Sequence, residues 1–368
     1  MNRKEFLQVI GGAAASAAAM SVPAVGMASS PAATGSTAGG PAAAHKLTRG
    51  VSFYSYQAAY YSGTMSVEEC VAEAGAIGAT GLEIIADAMI PDFPTPSTKW
   101  VDDWWDWMEK YHTVPVNYCG SHDTMILGYR PLTTAEGVER MTRDIHCAHR
   151  LGFTQLRLLG ATPLDVVEKC LPIAEKNNVS LNFEIHGPNP LKGRLVETWV
   201  KFFEKVKSKY IGLNPDMSLF EKRPQALGRD QQIRVGRLKA EIAKYIDKAC
   251  ADAVPMATAE AEVKRMGGGP REIAYFERRY GGYQDPKLLL PLKQYCHHMH
   301  AKLYGVTEDF QEICIAYEEV LPFLIQNGFE MCLTTEYEGQ RFIMDAEQED
   351  EVEQVRRHHV IMKKYLGI

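Results

Sequence analysis

The sequence predicts an α/β fold, a (β/α)8 or TIM barrel with an insertion after the sixth strand, on three observations. From residue 46 onward, strand-like and helix-like pieces alternate with a period of roughly 30 to 40 residues, enough for eight βα units. None of the strand-like pieces runs into a glycine-rich phosphate-binding turn, which disfavours a doubly wound open sheet. The last four each end near a metal-competent side chain: Glu184 in LNFEIHG, Asp216 in GLNPDMSLF, His300 in HHMHAKLYG and Glu336 in CLTTEYEG. Carboxylates and an imidazole from four separate strands converge only where those strands are neighbours, and such a donor set suits a hard or borderline divalent cation.

Taken in chain order, residues 1–28 read as an export signal. Arg3-Lys4 and Phe6-Leu7 precede an Ala-rich apolar stretch from Val9 to Val25, and Gly26 and Ala28 offer a small-residue cleavage site. The pattern resembles a twin-arginine signal with Lys in place of the second Arg, which leaves the twin-arginine and general secretory routes both open. The expected location is periplasmic or extracellular. Residues 29–45 lack aromatic and large aliphatic side chains and read as a flexible linker, so the barrel is expected over 46–368.

Strand-like pieces fall at 50–56, 81–87, 115–121, 154–160, 180–186, 211–217, 296–304 and 330–338. Helical patterns separate them: one opens at Ser66 with Glu68 and Glu69 in its first turn, and others cover 100–111, 134–151 and 345–365. Glu184 to Asp216 and His300 to Glu336 each span about one βα unit, whereas Asp216 to His300 spans 84 residues. The excess predicts an insertion over 221–290, with a polar helix at 229–251 and a flexible Gly267-Gly268-Gly269-Pro270. At the C-terminal face of a barrel it would act as a lid or a subunit contact.

A net charge of −6 without a long basic block argues against a nucleic-acid surface. No apolar run reaches the roughly 20 residues of a membrane span. The eight cysteines are spread singly with no CxxC and sit in apolar patterns, so buried free thiols are expected in preference to a disulfide framework.

Side chains two apart on a strand share a face, so Glu184 and His186 point together, as do His298, His300 and Lys302, and Glu336 and Glu338. Charged groups on an inward face are costly unless they hold a metal or each other. Glu184, Asp216, His300 and Glu336 are therefore the expected ligands of one divalent cation. Mn²⁺ is the first expectation, and Mg²⁺, Co²⁺ and Zn²⁺ suit the same donors.

These four positions, with His300 in a His-x-Lys frame, resemble the xylose-isomerase-like barrel family of sugar isomerases and epimerases. There, one ligand comes from each of strands five to eight in the order Glu, Asp, His, Glu. Many members carry a His three residues after the strand-six Asp, where this chain has Leu219. The extra histidines of the DNA-repair branch are absent as well. Within the family, NPDMSLFEKRP, MHAKLYG and TTEYEGQRF followed by VEQVRRHH are similar to the larger subunit of bacterial C-glycoside deglycosidases. That resemblance implies β-elimination on a sugar oxidised at C3, through an enediolate, and a small all-β partner subunit in an oligomer. His186 is the expected base, since an imidazole beside the ligands is within reach of a C2 proton. Lys302 is expected to hold a substrate oxygen or polarise the carbonyl.

Glu83, His122 in GSHDT, Arg223, His298 and Arg341 are the expected substrate contacts. Histidines 146, 149, 358 and 359 lie in helical patterns and are expected to be solvated. Trp100, Trp104, Trp105 and Trp107 are expected to pack between a helix and the barrel. The competing readings are a ketose 3-epimerase or aldose–ketose isomerase with the same metal and, in another class, a non-catalytic sugar-binding protein.

Overall fold

Eight short runs form the strands β1 (Thr48–Ser52), β2 (Gly81–Ile85), β3 (Val114–Cys119), β4 (Gln155–Leu158), β5 (Ser180–Ile185), β6 (Ile211–Pro215), β7 (His298–Leu303) and β8 (Cys332–Tyr337). The computed structural model describes residues 46–120, 125–126, 130–345 and 350–368. The expected export signal, the linker and His122 lie outside the described residues.

All eight strands pair in parallel, in the order β6-β5-β4-β3-β2-β1-β8-β7. Isolated parallel bridges Leu213–Cys296 and Asp216–His300 join the two ends, so the barrel is nearly closed. β5 to β8 are buried along their whole lengths, as parallel strands covered on both faces must be. The closing bridge at Asp216–His300 brings two of the four expected ligands side by side.

The first strand is shorter than its pattern predicts. Ser52 ends it by accepting a hydrogen bond from the Tyr54 amide at 3.4 Å, and Phe53–Tyr56 turns into a 3-10 helix. Phe53 and Tyr56 thus enter the core, while Tyr54 is half-buried.

Outer helices follow where the 3.6-residue period places them. α1 (Val67–Ala76) and α3 (Thr134–Arg150) start in capping boxes, Ser66 with Glu69 and Thr133 with Glu136, each satisfying two otherwise orphaned amides. α2 (Thr98–Tyr111) lies between them, and Trp104 there is fully buried with its indole N–H on the Leu151 carbonyl at 3.0 Å. α4 (Leu164–Lys176) and α5 (Arg194–Val206) complete the first five units.

Between β6 and β7 come α6 (Ala226–Arg234), α7 (Ala240–Ala251), α8 (Met256–Arg265) and α9 (Pro270–Gly281). The single helix expected at 229–251 is broken into α6 and α7, because the chain turns through Gly236 at φ +70°, a left-handed conformation that ends a helix. Ile242, Ile246, Ala259, Val263 and Phe276 give this segment a small core of its own. α10 (Tyr317–Gln326) and α11 (Glu351–Leu366) close the order. All eight cysteines are free, and all but Cys250 are buried. No helix among the described residues is long and apolar enough to cross a membrane.

His358 and His359 correct the expectation of solvated helical histidines. α11 lays this face on the barrel wall, and Thr335 Oγ1 lies 2.9 Å from His358 Nδ1 and 2.9 Å from His359 Nε2. Arg49 Nη1 donates to His359 Nδ1 at 2.6 Å. Burial lowers His358 from 6.5 to about 3, and burial, then His358 and Arg49, push His359 well down. Both histidines are taken up neutral, and the unfolded chain binds the extra protons. Their stabilisation is fully present above pH 6.5 and is lost as pH falls from there towards 3. The melting temperature is therefore expected to drop steeply between pH 6.5 and 4, and His358→Asn is expected to flatten that profile in a calorimetric pH series. A profile unchanged by the substitution would count against this assignment.

Candidate metal centre

The C-terminal ends of β5 to β8 bring the four expected ligands into one buried cluster. One donor atom from each of Glu184, Asp216, His300 and Glu336 lies within 4.8 Å of the others. His300 is central. Its Nδ1 stands 3.1 Å from Glu184 Oε1, 3.3 Å from Glu336 Oε2 and 3.6 Å from Asp216 Oδ2. Its Nε2 faces the other way, 3.0 Å from Glu83 Oε2.

Asp216 divides its two oxygens between structure and site. Oδ1 accepts the Ser218 amide at 2.7 Å, capping the 3-10 helix Met217–Phe220, which leaves Oδ2 turned into the cluster. Asp216 Oδ2 and Glu336 Oε2 are buried without a hydrogen bond of good geometry, although Lys302 Nζ stands 3.3 and 2.6 Å away. Buried carboxylate oxygens rarely go unsatisfied. Two of them on one point, with a third carboxylate and an imidazole nitrogen, fit a divalent cation.

Three carboxylates this close repel one another by about 3 kcal/mol per pair at an effective dielectric near 20, so the cluster needs compensating charge. Burial opposes ionisation of Glu184, yet Arg157, with Nη1 3.2 Å away, and His300 hold it down at about 2. For Asp216, burial outweighs Lys302 and leaves the carboxyl raised. Burial also opposes charge on His300, but Glu336 and then Glu83 raise it well above the usual range. Lys302, likewise buried, is held charged by Asp216, Glu336 and Glu338. A bound cation would take over this compensation.

A cavity of about 400 Å³ opens over the cluster. His186 lines it from the end of β5, exposed, with Nδ1 2.8 Å from the Gly187 carbonyl. That bond assigns the proton to Nδ1 and leaves Nε2 as the acceptor. Lys302 lines the same wall, and Arg341 stands at the rim, where it pairs with Glu338.

Three expected substrate contacts are corrected. Glu83 is fully buried beneath the cluster, accepting from Ser52 Oγ and Asn117 Nδ2 at 2.6 Å each and facing His300. His298 is also fully buried, 2.8 Å from Thr334 Oγ1 and 3.4 Å from Glu83, because it sits one pleat repeat deeper on β7 than His300. Arg223 points away from the cavity. It pairs with Glu318 at 2.9 Å and donates to the carbonyls of Glu312 and Ile315 at 3.1 and 2.7 Å.

Arg157 and Arg278, not among the expected site residues, both line the cavity. Arg157 carried a signal, a lone cation in the apolar strand TQLRLLG. Arg278 carried none, since it reaches the site from α9 through an ion pair with Glu221 at 2.7 Å.

Glu83 has a testable role. Every neighbour it meets there can donate, so a carboxylate accepts from His300 Nε2–H and leaves Nδ1 free to ligate. Glu83→Gln puts a donor where acceptors are needed. It is expected to weaken Mn²⁺ binding by about 10- to 100-fold, the usual cost of losing an outer-sphere partner. Calorimetric titration of the variant checks this, and unchanged affinity would contradict it.

Residues 71–240 of the chain match the model of the xylose isomerase-like TIM barrel family. Among the chain's relatives is the 3'-dehydrocarminate deglycosidase alpha subunit of Microbacterium sp., 27% identical over 337 residues that cover 86% of this chain and 95% of the relative. A C-glycoside deglycosidase alpha subunit of Arthrobacter globiformis is 24% identical over 314 residues, covering 79% and 84%. Among solved structures, an L-ribulose 3-epimerase superposes with a TM-score of 0.53 at 11% identity, covering 87% of this chain and 95% of that one. The D-allulose 3-epimerase of Methylomonas sp., bound to D-allulose, gives 0.52 at 11% identity, covering 87% and 98%. At such identities the structural likeness is one of fold.

Proposed function

We propose that the protein is a divalent-cation-dependent lyase that cleaves 3-keto-glycosides by β-elimination. The observation that carries this is the buried Glu184–Asp216–His300–Glu336 cluster with a proton-accepting His186 at its mouth. Alignment along 95% of a 3'-dehydrocarminate deglycosidase subunit supports the substrate class.

Glu184, Asp216, His300 and Glu336 would hold a divalent cation, which would supply Lewis acidity to a substrate oxygen. His186 Nε2 takes the C2 proton, which the adjacent C3 carbonyl acidifies. The electron pair left at C2 forms the C1=C2 bond as the C1 substituent departs with the electrons of its own bond and takes up a proton. Lys302 Nζ keeps Asp216, Glu336 and Glu338 in place and presents N–H to a substrate oxygen. Arg157 holds Glu184 in its ionised form. The segment 221–290 acts as an insertion walling the cavity, with Arg278 as its contact.

The reading includes a partner subunit, since the relatives are alpha subunits, small and all-β on the family resemblance alone, and an exported enzyme, on the N-terminal signal alone. A second reading, a ketose 3-epimerase, draws on Glu184 and Glu336 both standing in the cluster, where they would supply two acid–base groups. Incubation of the full chain with Mn²⁺ and a 3-keto-glucoside separates them. Aglycone release is expected, and interconversion of free ketoses without release would favour the epimerase.

A further inference from the structure

Beyond the cavity over the cluster, a second one of about 440 Å³ opens over the ends of β1 to β4. The two share Tyr54 and Arg157, which therefore form the boundary between them. Arg157 spans it: Nη1 reaches Glu184 at 3.2 Å on one side, and Nε reaches Cys119 Sγ at 3.0 Å on the other. The linings differ in kind. The first cavity is walled mostly by charged groups, whereas the second sets Tyr61, Ile85, Ala88 and Leu159 beside Gln57, Asp87 and Arg157. Tyr61 is 65% exposed, a large ring left to solvent beside a cleft.

Each cavity alone is within the range of roughly 300–1,000 Å³ usual for small-molecule sites. An enzyme acting on a free monosaccharide needs only the first. A substrate with a leaving portion has a second part to house, and a cavity contiguous with the reacting one is where it would lie. We infer that the cavity over β1 to β4 binds the leaving portion of the glycoside, a planar group laid against Tyr61 and Leu159, with the scissile bond at the Tyr54–Arg157 boundary. Tyr61 offers a ring face, and Ile85, Ala88 and Leu159 offer the apolar part of the lining against which a ring is buried. The inference rests on the lyase reading.

Glucosides that are not oxidised at C3 cannot undergo the elimination, so they report binding to the Mn²⁺-supplemented full chain without turnover. Isothermal titration is expected to show 4-nitrophenyl glucoside binding about tenfold tighter than methyl glucoside, equivalent to one ring contact of ~1.4 kcal/mol. Leu159→Trp, which fills the cavity, and Tyr61→Ala, an exposed change that spares the fold, are each expected to erase that preference. Equal binding of the two probes by the native chain, including none of either, overturns the subsite, as does a preference retained in both variants. The lyase reading fails separately, if the 3-keto form of the nitrophenyl glucoside releases no nitrophenol.

Discussion

Asp216→Asn is expected to lower turnover by about 10³-fold while leaving the metal-free fold as stable as before or slightly more so. The activity loss follows from deleting a ligand charge outright, which should cost more than the 10- to 100-fold of an outer-sphere partner. The stability expectation follows from the division of labour between the two oxygens. The amide oxygen of Asn can still accept the Ser218 N–H, so the cap of Met217–Phe220 survives. Lys302 keeps Glu336 and Glu338 as partners. Burial raises the Asp216 carboxyl above its unfolded value, so its ionisation destabilises the fold as pH rises through that interval, and Asn removes this cost. Thermal unfolding with and without Mn²⁺ checks both halves. A collapse of the metal-free melting temperature would mean that Asp216 is a structural residue and not a ligand.

His186→Ala is expected to lower kcat by about 10²- to 10⁴-fold, the usual contribution of a positioned general base. Mn²⁺ affinity should not change. The imidazole makes its hydrogen bond to Gly187 O and its ring is exposed in the cavity, so its removal neither unpacks the core nor touches the cluster. Full activity in the variant would move the base to another group, with Glu184 and Glu336 as the candidates of the epimerase reading. Lost metal binding would show instead that the cluster depends on His186.

The contrast between what the sequence disclosed and what it hid has a physical basis. The spacing of strand-like and helix-like runs makes all eight strands legible, and the two-residue period places His298, His300 and Lys302 on one face. That period gives the face of a side chain but not its depth. His298 lies about 7 Å further down its strand than His300, at two residues of strand rise, and so meets Thr334 and Glu83 in the barrel floor. Glu83 was misread for the same reason, since an acid late in a short strand looks like a substrate contact until the side chains above it are known. Arg223 and Arg278 exchange their expected importance because each answers to partners far along the chain, Glu318 and Glu221 respectively. His358 and His359 were hidden because two adjacent histidines on a polar helix give no hint that a buried threonine lies opposite them.

Everything functional in this account depends on one divalent cation held by Glu184, Asp216, His300 and Glu336. Titration of Mn²⁺ into the chelator-treated full chain, read by calorimetry and by metal content after gel filtration, tests it most directly. The predicted result is one equivalent bound per chain, abolished in Asp216→Asn and retained in His186→Ala. Absence of binding in the native chain, or binding that Asp216→Asn leaves intact, would contradict it.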